Sequence, residues 1–289
     1  MNATNDRTFP PIQPSAEALQ GPAFSKPVAP ELQFPLSQEQ LDFFWTNGYV
    51  ALPGLFTPEE AQSFQSAAEE IYRSERVDPD NHRYDFATNN RDEEMLWKLD
   101  PFFDLHDVFR QAVFDRRIMD ALASIYGGRE PRLFKDKLIC KPPHTHGNPL
   151  HQDYNWWQGY PTSLISVTVS VDAATEENGC TVIYPRDPRK GFCGELGSFK
   201  NEEAWKNDPS FHPDNAVKNI AQPGDVLLFH CFTPHEAGAN TTDGLRRQMF
   251  LTYNDSIDGE FYFSHGEHYR GYIDAGAKAA GRKMKKYFL

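Results

Sequence analysis

The chain has 289 residues, 39% hydrophobic and 24% charged, which is long enough to bury a real core and ordinary for a soluble globular protein. A net charge of −12, with no basic run beyond "RKMKK" at 282–286, weighs against nucleic acid as a partner, since neutralising phosphates needs a lysine- and arginine-rich surface. No apolar run approaches membrane-spanning length, and the four cysteines (Cys140, Cys180, Cys193 and Cys231) show no paired spacing; the expectation is a cytoplasmic chain with reduced thiols and no membrane segment.

Residues 1–35 are proline-rich and aperiodic, and read as an extended or disordered arm ahead of a single domain at 36–289. Ser37, with Gln40 three residues on, caps a helix whose Leu41, Phe44 and Trp45 share a face, and Gly48 stops it. "YVALPGLF" reads as a short strand and turn. Thr57-Pro58-Glu59-Glu60 then caps a second helix with an apolar stripe at Ala61, Phe64, Ala68 and Ile71. Residues 78–104 are charged and irregular. The segment 106–127 returns to helical period and ends on Gly127-Gly128. From about 132 the runs "RLFKDKLICK", "SLISVTVSVDAA", "TVIYP", "GDVLLFH" and "QMFLTYND" read as strands separated by turn residues. Helices followed by strands point to an α+β, mainly β fold, with one antiparallel sheet system closing as a sandwich or barrel.

Within this β region, "PLHQDYNWWQGYP" places His151 and Asp153 two apart. On an extended strand they point the same way and can grip one ion while Gln152 faces the other side. A third ligand is available in "GDVLLFHCFTPHEAGAN", where His235 follows a strand, and Arg246-Arg247 open the next one. Two imidazoles and one carboxylate on a β-scaffold, with coordination positions left open, suit non-haem Fe(II). An arginine nearby can hold the far carboxylate of a keto acid through a bidentate guanidinium. Consecutive strand residues face opposite sides, so Arg246 and Arg247 cannot both enter one pocket.

Over about residues 36–270 the sequence resembles the phytanoyl-CoA dioxygenase-type branch of Fe(II)/2-oxoglutarate oxygenases, in "GYVALPGLF", "LFKDKLICKPP", "HQD", "EENG", "GDVLLFHCFTPHEAGAN" and the arginine that follows. The resemblance implies a double-stranded β-helix (jelly roll, cupin-like) with N-terminal packing helices. It implies Fe(II) held by His151, Asp153 and His235, with 2-oxoglutarate and O2 as cosubstrates. Its spacing of eleven from distal histidine to cosubstrate arginine selects Arg246. It places Trp157 near cosubstrate or substrate, and Cys140 where some relatives present a polar group to 2-oxoglutarate. The implied chemistry turns O2 and 2-oxoglutarate into succinate, CO2 and a hydroxylated small molecule. Asp153 favours hydroxylation or a related oxidation, because halogenating relatives lack this carboxylate. Among relatives, those acting on small metabolites, including aminoalkylphosphonates, look most similar. After "EENG" the chain departs from the family pattern with "YPRDPRKGF", where Arg186, Arg189 and Lys190 offer positive charge near the mouth.

Competing readings remain at several residues. His144 and His146 sit in a Pro/Gly loop and read as pocket-mouth or solvent residues, His230 as a core histidine, and His265 and His268 as surface residues. Tyr154, Trp156, Trp157 and Tyr160 read as core or as a wall able to hold an ammonium group. Ser166, Thr168 and Ser170 face either solvent or a wet interior. Lys135, Lys137 and Lys141 make surface salt bridges or reach inwards. A non-catalytic jelly-roll binding protein and a zinc hydrolase are the competing functional classes. An oxygenase tailoring a natural product or an acyl-CoA is the alternative substrate reading.

Overall fold

The computed structural model describes residues 32–74, 77–78, 80–81, 83–198 and 201–281. Most of the expected N-terminal arm, and the basic run at 282–286, lie outside the described residues. The end of that arm is pinned: the backbone N–H groups of Gln33 and Phe34 donate to Asp120 Oδ2 at 2.7 and 3.1 Å, and that of Leu36 to Ser124 Oγ at 3.0 Å.

Both expected capping boxes form. Ser37 starts α1 (Gln38–Asn47) and Thr57 starts α2 (Pro58–Tyr72), each exchanging hydrogen bonds with the residue three further on. The helical pattern at 106–127 is two helices, α3 (Asp107–Val113) and α4 (Arg116–Ile125). Asp115 breaks it, because its carboxylate accepts the Arg117 N–H and caps a new helix. Two later helices, α5 (Glu202–Lys206) and α6 (Tyr262–Ala279), were not expected.

Seven strands form one antiparallel sheet in the order β1 (Tyr49–Leu52), β9 (Val226–His230), β6 (Ile165–Ser170), β11 (Arg246–Asp255), β4 (Pro131–Lys141), β3 (Glu94–Leu99) and β2 (Tyr84–Thr88). A four-stranded antiparallel sheet runs β5 (Asn148–His151), β10 (His235–Ala237), β7 (Thr181–Ile183) and β8 (Val217–Lys218). The hairpin β2–β3 falls in the stretch that reads as irregular from sequence; it sits at the sheet edge, where exposed charged residues obscure the alternation.

The two faces of the large sheet differ. Its outer face carries Val167, Val169, Leu138, Met249, Leu251 and Leu228, packed with Phe44, Phe64, Ile71, Phe109, Ile118 and Leu122 of the helices. Its inner face carries Ser166, Thr168 and Ser170 directly opposite Thr252, Phe250 and Gln248. All three β6 side chains are buried, so the polar face of "ISVTVS" lines the interior rather than solvent. The sheets meet where Phe229 packs on His235, with ring centroids 4.6 Å apart, and where Ile183 joins Leu227 and Phe229.

Candidate active site

β5 and β10 pair antiparallel with His151 directly opposite His235, which sets the two imidazoles side by side, ring centroids 4.2 Å apart. The strand ends at His151. Gln152 keeps an extended backbone and turns away, donating to Phe232 O at 2.5 Å and accepting the Cys193 N–H at 2.9 Å. Asp153 opens a 3-10 turn (Asp153–Asn155) rather than continuing the strand, and still points back at the imidazoles. Its Oδ1 lies 3.8 Å from Nε2 of both His151 and His235. One ligand atom from each of the three residues lies within 4.8 Å of the others.

Neighbouring groups fix the chemistry of this trio. His151 Nδ1 donates to Pro149 O at 2.7 Å and His235 Nδ1 to Thr233 O at 3.0 Å. Each imidazole therefore carries a proton on Nδ1, and both Nε2 atoms face the same Asp153 oxygen. Burial, and then the neighbouring His235, push His151 down to about 3, so it is a neutral ligand and not half of an ion pair. Burial alone would raise Asp153, but His235, Lys137 and the Ser166 hydrogen bond together hold its carboxyl below the ordinary value. Ser166 Oγ donates to Asp153 Oδ2 at 2.7 Å, which leaves Oδ1 for a ligand role. Remote packing supports the arrangement: Thr233 Oγ1 donates at 2.7 Å to Gly48 O, at the left-handed end of α1, tying the loop before His235 to the helical layer.

Arg246 is 3% exposed and pairs with Lys141 across β11 and β4. One guanidinium N–H donates to Gln248 Oε1 at 2.6 Å, while Arg246 Nε and Gln248 Nε2 are buried without a partner among the described residues. Arg247 faces the helices instead, bonded to Asp172 at 2.8 and 2.9 Å and to Glu69 at 3.0 Å. The triad and Arg246 line one cleft with Lys137, Lys141 and Trp97. Two imidazoles presenting Nε2, one ionised carboxylate and an arginine with an unmet donor suit Fe(II) and an anionic chelating acid.

Strand parity corrects the placing of Cys140, and packing places the other candidates. Cys140 is fully buried on the outer face, in the helix-covered core, and its thiol is pushed up to about 12 by burial; Lys141 takes the inward position. Trp157 packs in a second apolar cluster with Phe134, Tyr154, Tyr160 and Leu164, and the ring against His151 is that of Trp156, at 4.8 Å and 54% exposed. Arg186 is buried and neutralised by Asp208 at 2.9 Å, and Arg189 is paired with Asp187 at 2.7 Å, so the departing loop lends these two charges to local pairs. His265 is buried rather than on the surface, its ring 4.3 Å from that of Phe134. His230 is buried as expected; His146 stacks on Trp97 at 5.9 Å. Sequence reasoning missed Gln248, although the i, i+2 parity of Arg246-x-Gln248 already puts it on the interior face; of the two readings open for Ser166 the structure selects the interior one, and adds its bond to Asp153.

Paired antiparallel sheets holding His2Asp beside a buried arginine make the arrangement of a 2-oxoglutarate-dependent dioxygenase, and the chain is one. It belongs to the phytanoyl-CoA dioxygenase family, whose model matches residues 44–248. Among similar proteins, a 2-aminoethylphosphonate dioxygenase of an uncultured bacterium is 28% identical over 235 residues, covering 78% of this chain and 84% of that one. A methylphosphonate hydroxylase of Gimesia maris is 28% identical over 232 residues, covering 78% and 83%. In fold, the chain is similar to EctD of S. alaskensis, solved with 2-oxoglutarate and 5-hydroxyectoine, at a TM-score of 0.63 and 22% identity, covering 77% of both chains.

Proposed function

We propose that the chain hydroxylates an unactivated C–H bond of a small polar metabolite, an aminoalkylphosphonate in the first place. In this reading His151, Asp153 and His235 hold Fe(II), and Arg246 anchors 2-oxoglutarate. The two sheets are read as the halves of a jelly roll within one domain at 36–289, working in the cytoplasm. The observation that carries the proposal is the convergence of two imidazole Nε2 atoms on one free carboxylate oxygen beside an arginine with an unmet donor. The phosphonate class is supported by the two phosphonate-oxidising relatives.

Iron and cosubstrate, when bound, supply the oxidation: substrate, 2-oxoglutarate and O2 give hydroxylated product, succinate and CO2. The chain supplies position. Pro149 and Thr233 set the imidazole tautomers, and Ser166 fixes which carboxylate oxygen is free. Gln248 aims the Arg246 guanidinium, whose planar fork matches a carboxylate. The apolar rings of Phe229 and Phe250 bound the interior, and a low-dielectric wall strengthens each of these polar contacts.

A succinate-release screen over phosphonates, amino acids and acyl derivatives, followed by product mass, tests this. The expected result is Fe(II)-dependent succinate formation stimulated by an aminoalkylphosphonate, with a product one oxygen atom heavier. Activity with zinc alone, or stimulation confined to acyl-CoA substrates, refutes it.

A further inference from the structure

Three lysines alternate along the inward face of β4, and two of them are satisfied. Lys135 pairs with Asp100 at 2.9 Å. Lys141 donates to the carbonyl oxygens of Gly238 and Gly179. Lys137 has no hydrogen bond or ion pair among the described residues; its Nζ rests 4.8 Å from the centre of the Phe250 ring, which stands opposite it across the sheet. It lines the same cleft as the triad and Arg246. Glu236, the other carboxylate in that lining, is engaged by the Tyr184 hydroxyl at 2.7 Å.

Charge then distinguishes Lys137 from Arg246. In the dioxygenase reading, the two positive charges of Fe(II) and that of Arg246 are balanced by Asp153 and the two carboxylates of 2-oxoglutarate, and the charge of Lys141 by that of Glu236, the other charged groups of the lining. The loaded site is neutral and Lys137 is left over. A cation in a cleft walled by β-sheet is costly without an anion, and contact with one phenyl face is a weak substitute. The remaining molecule that enters is the one to be oxidised.

We infer that Lys137 is a substrate-recognition residue, its ammonium receiving an anionic oxygen of the molecule to be hydroxylated, a phosphonate in the first place. The inference rests on the dioxygenase reading of the same cleft. It assigns Lys137 to the substrate and Arg246 to the cosubstrate, so the two sites separate by mutation.

The test uses the full chain, wild type beside Lys137→Met (similar length, no charge) and Lys137→Arg (charge kept). Without oxygen, 2-oxoglutarate is titrated into the Fe(II) protein and followed by the metal-to-ligand charge-transfer band. The heat of binding is then measured for 2-aminoethylphosphonate, methylphosphonate, 3-aminopropanoate and the uncharged-head compound 2-aminoethanol. K137M is expected to bind 2-oxoglutarate within about 3-fold of wild type and the phosphonates on the order of 10–100-fold more weakly, the scale of one hydrogen-bonded charge. K137R should recover part of that loss, and 2-aminoethanol should not distinguish the proteins. If wild type binds 3-aminopropanoate but neither phosphonate, and K137M loses it, the phosphonate reading fails while the role of Lys137 stands. Equal weakening of 2-oxoglutarate and phosphonate, unchanged phosphonate binding, or a wild type that binds 2-oxoglutarate but none of these anions overturns the inference. Should K137M fail to fold, Lys137→Gln takes its place in the same comparison.

Discussion

Replacing Ser166 by alanine removes one hydroxyl and tests whether Asp153 is a held ligand. The Ser166 Oγ bond to Asp153 Oδ2 is 2.7 Å long, both residues are buried, and no other hydrogen bond reaches that oxygen among the described residues. A hydrogen bond to a buried charged group contributes roughly 1.5–3 kcal/mol, and the carboxylate loses its only fixed orientation. Loss of such a supporting contact typically weakens metal affinity about 10–100-fold. S166A should therefore bind Fe(II) about 10–100-fold more weakly in an anaerobic titration, and melt lower by roughly 2–4 °C for each kcal/mol lost. Serine is small and its removal leaves no large void, so folding should survive. Wild-type iron affinity in S166A would show that the hydroxyl does not orient a ligand, and the tautomer-and-orientation reasoning for the whole trio would fail with it.

The adjacent arginines should respond oppositely. Arg246→Lys loses the planar fork and should weaken 2-oxoglutarate by on the order of 100-fold in the charge-transfer titration, whereas Arg247→Ala, which breaks contacts to Asp172 and Glu69, should lower the melting temperature and leave that affinity unchanged. Gly179→Ala should destabilise by more than about 1 kcal/mol by denaturant unfolding, since Gly179 has φ +75° and a Cβ there would strike the Gly238 and Ala239 carbonyls and the Lys141 ammonium; an unchanged midpoint would contradict this. His265 is pushed down to about 3, first by burial and then by the Lys135 charge, from 6.5 when exposed, so the unfolded chain takes up a proton the native one does not. Stability should fall as pH drops from about 6.5 towards 3, and in His265→Asn that slope should be shallower by up to about 1.4 kcal/mol per pH unit; parallel slopes in chemical denaturation would refute it.

Local signals read well where local physics decides. The capping boxes at Ser37 and Thr57 are satisfied within four residues, and β4, running from Pro131 to Lys141, needs only its own composition. The spacing of His151, Asp153 and His235 also survives folding, because the register of β5 on β10 brings the histidines level. What misled was anything set by distant partners. One residue of parity separates the outward Cys140 from the inward Lys141, and only the β11 pairing fixes it. Trp156 and Trp157 are neighbours in the chain, yet one edges His151 and the other packs under Phe134, as the 3-10 turn at Asp153 dictates. His265 reads as a surface residue because α6 is not legible in the sequence, and its burial comes from packing against Phe134 of β4 and against Tyr160.

The most direct measurement is a crystal structure of the Fe(II) complex with 2-oxoglutarate, grown without oxygen. Iron should sit on His151 Nε2, His235 Nε2 and an Asp153 carboxylate oxygen, with the distal carboxylate of 2-oxoglutarate on the Arg246 guanidinium. Iron bound elsewhere, or a cosubstrate that leaves Arg246 untouched, would contradict that assignment.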